Sequence, residues 1–359
     1  MPEGGNHHPT QIGRYRIDRI LGAGTMGVVY LARGPAQDRP VALKLIRADL
    51  LGDRDRGRYL QRFAGEVRAV ILLKNTNIIP IYDISLHNGN PFLVMEYVRG
   101  ESLRQAIGRH GRFSIPAVVE VMLQVLEALG AAHAGGVVHR DVKPANVMIG
   151  PDQFVKVVNF GIAPFDNSIL TQAGAVIGTP GYMSPEQILG EAVDARADLF
   201  SAGVILHEML IGTPPFEGDS TVATIHGILN AEPPNLSAND SSIPPEVAAV
   251  VAQALAKDPA ERFQTAQAMV DALRQWISTP APEAPTIQVR TPEMVTLSSN
   301  EIQRAERALA MAIGPIAKIV VKRAVPTARS SEDFWLVLAK QIQTDDDRRA
   351  FLRCQLDLG

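Results

Sequence analysis

Short hydrophobic runs separated by glycine turns occupy the chain from residue 15 to about residue 85. Such runs are typical of β-strands, and they predict strands at Tyr15–Leu21, Val28–Arg33 and Pro40–Ile46. A charged segment at 54–73 has a different pattern. Its apolar residues recur at the spacing of one helix face, which predicts a helix whose buried side is Phe63, Val67, Val70 and Ile71.

After Gly100 the period of the hydrophobic pattern becomes helical. Helices are predicted at Ser102–Gly108, Pro116–Ala134, Ala197–Ile211, Thr221–Asn230, Pro245–Ala256 and Thr265–Ile277. A sheet-rich first part followed by a helix-rich second part is an α+β arrangement. We therefore expect a bilobal fold, with a small β-rich N-lobe and a larger helical C-lobe.

Changes in composition divide the chain into four parts. Residues 1–13 are predicted to be a disordered lead, and residues 14–277 the two-lobed domain. Residues 278–294 are proline-rich and favour an extended linker. Residues 295–359 are predicted to be a small helical C-terminal domain with two apolar faces: Ile302, Ala305, Leu309, Ile313 and Ile316 on one, and Phe334, Leu338 and Ile342 on the other.

Composition excludes several classes of protein. The net charge of −3 provides no general basic surface for nucleic acid. The single cysteine, Cys354, excludes an internal disulfide and fits a reducing compartment. The N-terminus is polar, and no run reaches the roughly 18 uninterrupted apolar residues of a membrane span. The expectation is a cytoplasmic protein without a membrane span or a nucleic-acid partner.

A glycine-rich loop lies between the first two predicted strands. Leu21 opens it, and its glycines allow the backbone to approach phosphates without an intervening Cβ; they are Gly22, Gly24 and Gly27. A dinucleotide-binding turn has similar spacing, but it requires a helix after the third glycine. Here Val28–Leu31 is strand-like, which favours a loop that covers a nucleotide.

Lys44 ends the third predicted strand. A solitary lysine is usually a solvated surface charge, but one that follows an apolar strand and a glycine loop is suited to phosphate contact. Its expected counter-charge is Glu66, the only acidic residue in the predicted helix 58–73. The alternative for Glu66 is an exposed position on a solvated helix face.

Residues 139–146 read His-Arg-Asp-Val-Lys-Pro-Ala-Asn, and residues 159–161 read Asn-Phe-Gly. With the glycine loop and Lys44, these motifs resemble the eukaryotic-type (Hanks-type) serine/threonine protein kinases, in their bacterial form. The resemblance covers residues 14–277. It implies that Asp141 is the catalytic base, that Lys143 contacts the transferred phosphate, and that Lys44 and Glu66 form the phosphate-binding pair.

The same resemblance implies an ATP site and a metal site. Adenine would lie between Val29 and Ala42 on one side and Met148 on the other. Backbone groups of Glu96 and Val98 would form hydrogen bonds with it. Magnesium, or manganese in its place, would be held by two residues, Asn146 and Asn159.

Further residues resemble structural members of the family. His139 and Phe160 would stack between the lobes, and Asp198 would accept hydrogen bonds from the catalytic-loop backbone. Glu186 would pair with Arg262. Thr171 is a candidate phosphorylation site near Arg140, with an unmodified loop hydroxyl as the alternative.

Asn159 departs from the family pattern, which has Asp at this position. A neutral amide oxygen replaces a charged ligand, so the affinity for magnesium should fall. Two hypotheses follow. One is an ATP-dependent serine/threonine kinase with weakened or altered metal dependence, acting on a protein substrate. The other is an ATP-binding pseudokinase that acts as a regulatory scaffold. In either case, the kinase domain or the helical tail could mediate a homodimer.

Overall fold

The computed structural model describes residues 9–24, 27–34, 39–47, 53–160, 180–278 and 299–313, together with seven single positions between 317 and 351. The chain forms two compact units, Met1–Pro280 and Ala281–Gly359. This division falls inside the predicted linker, while the finer domain boundaries stay predictions. Gly161, Thr171, Ile316 and Ile342 lie outside the described residues, as does most of the predicted linker.

An antiparallel sheet forms the N-lobe. Its strands are β1 (Gln11–Ile12), β2 (Tyr15–Gly24), β3 (Gly27–Arg33), β4 (Pro40–Ile46), β5 (Ile81–His87) and β6 (Asn90–Glu96). Their spatial order is β1, β2, β3, β4, β6 and β5. The predicted β-runs correspond to β2 to β4, and Pro40–Ile46 has the predicted bounds.

Helix α1 (Asp53–Ile71) packs against this sheet. Phe63, Val67 and Val70 are buried as predicted, but Ile71 is 42% exposed. Ile71 is the last residue of the helix, so its position on the predicted face does not bury it. The helix also begins earlier than predicted and includes Asp53, so Glu66 is not its only acidic residue.

A second, three-stranded sheet bonds to the segment that enters β5. It consists of β7 (Glu101–Ser102), β8 (Val147–Ile149) and β9 (Val155–Val157). The Val157 N–H donates to Asn77 O at 2.7 Å, and the Ile79 N–H donates to Val157 O at 3.0 Å. The chain entering β5 is thereby fixed to β9, immediately before Asn159.

The C-lobe is helical. Its helices are α2 (Leu103–His110), α3 (Ile115–Ala134), α4 (Pro185–Leu189), α5 (Ala195–Ile211), α6 (Thr221–Asn230), α7 (Leu236–Asn239), α8 (Pro245–Ala254) and α9 (Ala266–Ser278). Every helix predicted for this lobe is present, and Thr221–Asn230 has the predicted bounds. The core of the lobe lies between α3, α5, α8 and α9.

Local sequence sets the ends of α5, the central helix of this lobe. The Asp194 side chain accepts from the Arg196 N–H and caps the first turn. Gly212 ends the helix with φ 97°, a conformation that costs glycine little. Residues 197–210 between them are all buried.

Among the described residues, one helix, α3, is long and apolar enough to cross a membrane by length and composition alone. Half of its most apolar window is buried inside the structure. A core helix of a globular domain passes the same test.

The second unit has its own apolar core. Helix α10 (Ser299–Ile313) contributes Ala305, Ala308 and Leu309, and Ile302 packs against them. Phe334, Trp335 and Leu338 belong to the same core, so residues from both predicted faces are buried together.

The predicted ion pair between Glu186 and Arg262 is present and buried. Arg262 Nη1 and Nη2 donate to Glu186 Oε1 at 2.8 Å and Oε2 at 2.9 Å. The guanidinium also donates to the backbone oxygens of Ala256 and Lys257. This arrangement joins α4 to the loop before α9.

We expect Arg262→Met to lower the free energy of unfolding by about 3–5 kcal/mol, because it leaves a buried carboxylate unpaired. The control is Arg196→Met, which breaks a partly exposed pair with Asp194 and should cost less than about 1 kcal/mol. Chemical denaturation measures both. Equal costs for the two variants would contradict the assignment of Arg262 as a buried anchor.

Candidate active site

The side chains of Asp141, Lys143 and Asn146 meet at one carboxylate. Lys143 Nζ donates to Asp141 Oδ1 at 2.8 Å. Asn146 Nδ2 donates to Asp141 Oδ2 at 3.0 Å and to the backbone oxygen of Asp141 at 2.7 Å. A 3-10 turn at Pro144–Asn146 brings Asn146 back towards Asp141. Both oxygens of the candidate base are therefore fixed by hydrogen bonds.

Asp198 on α5 holds the backbone of this loop, as predicted. Its carboxylate is 1% exposed and accepts from the N–H groups of His139 and Arg140, each at 2.8 Å. His133 Nε2 donates to the same carboxylate at 2.8 Å. These bonds hold Arg140 at φ 64°, a conformation that non-glycine residues seldom adopt.

His139 connects the loop to the residues that precede Asn159. Its Nε2 donates to the Val158 backbone oxygen at 2.9 Å, and its Nδ1 accepts from the Asp141 N–H at 3.2 Å. Its ring packs edge-on against Phe160, with centroids 4.5 Å apart. The predicted stacking is thus present and positions Asn159 opposite the loop.

The side-chain amide of Asn159 bridges the two lobes. Its Oδ1 accepts from Lys44 Nζ at 3.1 Å, and its Nδ2 donates to Asn146 Oδ1 at 2.8 Å. The residue has φ 67°, which Asn and Asp tolerate better than most residues. The structure therefore brings together both predicted metal ligands and the predicted phosphate-binding lysine.

Lys44 is 7% exposed. Burial lowers its pKa to about 8, although the nearby Asp141 carboxylate acts in the opposite direction. Glu66 lies half-buried on α1, beside buried Val67. The ion pair between Lys44 and Glu66 stays a prediction.

The predicted glycine loop is a hairpin in which Gly22 pairs with Val29 and Gly24 with Gly27. A Cβ on Gly22 or Gly24 would meet no atom within 4 Å, so both leave the adjoining space open. Gly27 differs, because a Cβ there would lie 2.0 Å from Leu45 O. Contact with β4 therefore requires glycine at position 27 whether or not phosphate binds.

The predicted adenine contacts lie around one apolar cluster. Ala42 and Met95 are buried members of it, and Leu21, Val29 and Val98 pack against it. Met148 is half-buried on β8. The Glu96 N–H donates to Pro80 O at 3.1 Å, so this N–H is already used within the protein.

Two contacts near the site were not predicted from the sequence. Lys156 Nζ lies 3.0 Å from Glu96 Oε2 and holds the segment that connects the lobes. The Tyr182 hydroxyl donates to buried Glu208 at 2.6 Å, and burial raises the pKa of Glu208. The sequence offered two signals for these contacts. Lys156 lies inside a short apolar strand, and Glu208 lies inside an apolar helix.

The predicted metal ligands do not fit a magnesium ion as they are arranged. The side-chain oxygens of Asn146 and Asn159 both already accept hydrogen bonds, and neither carries charge. Magnesium prefers charged oxygens in a strict octahedron. Within the described ranges, no group of three or more His, Cys, Asp or Glu side chains could hold a metal ion.

Known proteins resemble this chain over the same region. Residues 15–273 match the family model described as protein kinase domain, and they contain every catalytic and binding residue described above. The chain belongs to the protein kinase family. Its bilobal α+β architecture is the fold of that family. Residues 300–356 match a separate domain of unknown function (DUF8082).

Bacterial relatives resemble the kinase domain. Serine/threonine-protein kinase PknB of Mycolicibacterium smegmatis is 41% identical over 300 residues, which are 81% of this chain and 47% of the relative. A probable PknB of Bifidobacterium longum is 43% identical over 268 residues, 71% of this chain and 38% of the relative. The serine/threonine-protein kinase pkn3 of Myxococcus xanthus is 41% identical over 267 residues, which are 71% of this chain and 48% of the relative. The chain spans about half the length of these relatives or less.

The lowered pKa of Lys44 predicts a dependence of stability on pH. Between about pH 8 and pH 10.5 the unfolded lysine keeps its proton and the folded one does not, so the free energy of unfolding should rise with pH. From pH 7.5 to 9.5 we expect wild type to gain roughly 1–2 kcal/mol more than Lys44→Met.

Chemical denaturation of both proteins without nucleotide or metal measures this gain. Lys257, whose pKa is also lowered to about 8, changes both proteins alike and cancels in the comparison. A difference that stays constant across this pH range would show that Lys44 keeps its ordinary pKa.

Proposed function

We propose that this chain is an ATP-dependent serine/threonine protein kinase with weakened or altered metal dependence. The observation that carries the proposal is the Asp141 carboxylate, whose two oxygens are held by Lys143 and Asn146 in the loop. A carboxylate held in this way is suited to accept the proton of an acceptor hydroxyl.

The nucleotide would lie between the lobes, with its adenine against the apolar cluster around Ala42 and Met95. The glycine hairpin and Lys44 would contact the phosphates. Lys44 supports this role because its ammonium is buried at the cleft and bonds to a neutral amide oxygen. A phosphate oxygen would be a stronger partner for that charge than the amide.

In the proposed reaction, a serine or threonine hydroxyl of a protein attacks the γ-phosphorus of ATP. The bond from γ-phosphorus to the bridging oxygen breaks, ADP leaves, and the hydroxyl proton passes to Asp141. Lys143, which donates to Asp141, would contact the transferred phosphoryl group. A lysine two residues after the base resembles the serine/threonine rather than the tyrosine kinases.

The second candidate function is an ATP-binding pseudokinase that acts as a scaffold. One observation favours it: a neutral Asn159 fills the place of the family's metal-binding Asp, and its oxygen is already bonded to Lys44. Protein kinases as a family use ATP with a divalent metal. Loss of the charged ligand would therefore affect phosphoryl transfer more than nucleotide binding.

We also propose that the C-terminal unit is an interaction module that supports a homodimer. Its core, with Phe334, Trp335 and Leu338, is small for independent stability, and docking would add buried area. The alternative is dimerisation through the kinase domain.

Deletion of residues 295–359 is expected to change the oligomeric state, because it removes the proposed dimer surface. Sedimentation velocity of the full and shortened chains measures this. The docking proposal is wrong if oligomeric state, ATP affinity and thermal stability all remain unchanged.

Asn159→Asp should raise phosphoryl transfer with Mg²⁺ by about a hundredfold, because one charged ligand is worth a few kcal/mol in the transition state. The measurement is transfer of labelled phosphate from ATP to the chain itself or to a generic protein acceptor, with Mg²⁺ and with Mn²⁺. The gain should vanish in the double variant that also carries Asp141→Asn.

Two results would count against the proposal. If wild type is already fast and Asn159→Asp has no effect, the amide oxygen is a sufficient ligand and metal dependence is ordinary. If both proteins bind ATP and neither transfers phosphate with either metal, the scaffold function is the correct one.

A further inference from the structure

The Asn159 amide is one link in a continuous series of hydrogen bonds across the cleft. The series runs from Lys44 Nζ to Asn159 Oδ1 at 3.1 Å, and from Asn159 Nδ2 to Asn146 Oδ1 at 2.8 Å. It continues from Asn146 Nδ2 to Asp141 Oδ2 at 3.0 Å and ends with Lys143 Nζ on Asp141 Oδ1 at 2.8 Å. Every donor in the series faces an acceptor, so the described side chains need no ion to complete it.

The side-chain nitrogen of Asn159 allows the series to be complete without an ion. A carboxylate in the same position would face Asn146 Oδ1 with a second oxygen and no proton between them. Two acceptors at hydrogen-bond distance repel each other unless a cation lies between them or one side chain turns away. The amide N–H removes that requirement, because it supplies the positive end of a dipole where a cation would otherwise be needed.

Asn159 leaves the series less negative than an aspartate would. The series holds two ammonium groups, Lys44 and Lys143, one carboxylate, Asp141, and two neutral amides. An aspartate at position 159 would add a second negative charge beside them. A triphosphate without a bound metal is a stronger anion than its magnesium complex, so it gains more from the absence of that charge.

We propose that the Asn159 amide organises the cleft by hydrogen bonding in place of a metal ion, so that the protein binds the metal-free nucleoside triphosphate as its ligand. This inference rests on the proposed nucleotide site. A magnesium ion bound by the side-chain oxygen of Asn146 or Asn159 would lie beside an N–H donor already bonded to that oxygen, and the two positive groups would repel each other. Metal-free ATP would bind without breaking the contact between the two asparagines.

The test measures the affinity of the full-length protein for ATP by calorimetry, once with EDTA and once with excess Mg²⁺. For wild type, the dissociation constant should be at least about threefold lower in EDTA than in excess Mg²⁺, because Mg²⁺ converts the metal-free ligand to its complex. In Asn159→Asp, affinity in EDTA should fall by about tenfold or more, and Mg²⁺ should restore it.

Two further variants complete the test. Asn159→Gly keeps a residue that accepts φ 67° but removes the amide, so affinity should fall in both conditions without a gain from Mg²⁺. Asn88→Asp makes the same chemical change in an exposed turn at φ 51° before Gly89, and it should bind ATP like wild type. Thermal unfolding without nucleotide checks that each variant is folded.

The outcomes separate this inference from the proposed function. Binding by wild type only when Mg²⁺ is present overturns the inference and is consistent with the proposed kinase. The inference is also overturned if the ratio of the dissociation constant in EDTA to that in Mg²⁺ is the same for wild type and Asn159→Asp. No binding in either condition rejects both the nucleotide site and the inference. Binding in EDTA without phosphoryl transfer supports the inference and rejects the kinase.

Discussion

The buried carboxylate of Asp198 is the constraint on which the candidate site depends. It lies on the most deeply buried helix of the C-lobe and accepts two backbone N–H groups and one imidazole N–H. A buried carboxylate is costly unless such donors surround it. The loop therefore adopts a conformation, including the positive φ of Arg140, that a free segment of the same sequence would rarely visit.

The constraint extends from the loop to the opposite lobe. Once the backbone of His139 is fixed, its ring positions Val158 and Phe160. Asn159, between them, then reaches Lys44 on a strand of the other lobe. A series of contacts, each of ordinary strength, therefore connects Asp198 in the buried helix to the side chain of Asn159 in the cleft.

Much of the fold could be predicted from the period of the hydrophobic pattern. The strand at Pro40–Ile46 and the helix at Thr221–Asn230 have the predicted bounds, because each is short and ends at a change of pattern. The predicted burial of Ile71 was wrong. Periodicity reports the side of a helix on which a residue lies, while burial depends on which neighbour covers that side. Periodicity also did not predict the residue at which α1 begins.

The candidate site was less predictable than the fold. Motif spacing places Asp141, Lys143 and Asn146 in one loop, and the structure joins them. The sequence could not show that the two ends of the Asn159 amide have different partners, because that orientation depends on a lysine 115 residues away. The contact between Lys156 and Glu96 escaped prediction for the same reason.

The left-handed backbone of Asn159 also has a consequence for how this site can change over time. Only glycine, asparagine and aspartate occupy that conformation at little cost, so the fold restricts position 159 to a very short set of residues. Within that set, asparagine and aspartate have nearly the same shape and differ by one atom. On the proposed role of Asn159, a single conservative exchange would therefore convert a metal-using cleft into a metal-free one without rebuilding the loop that carries it.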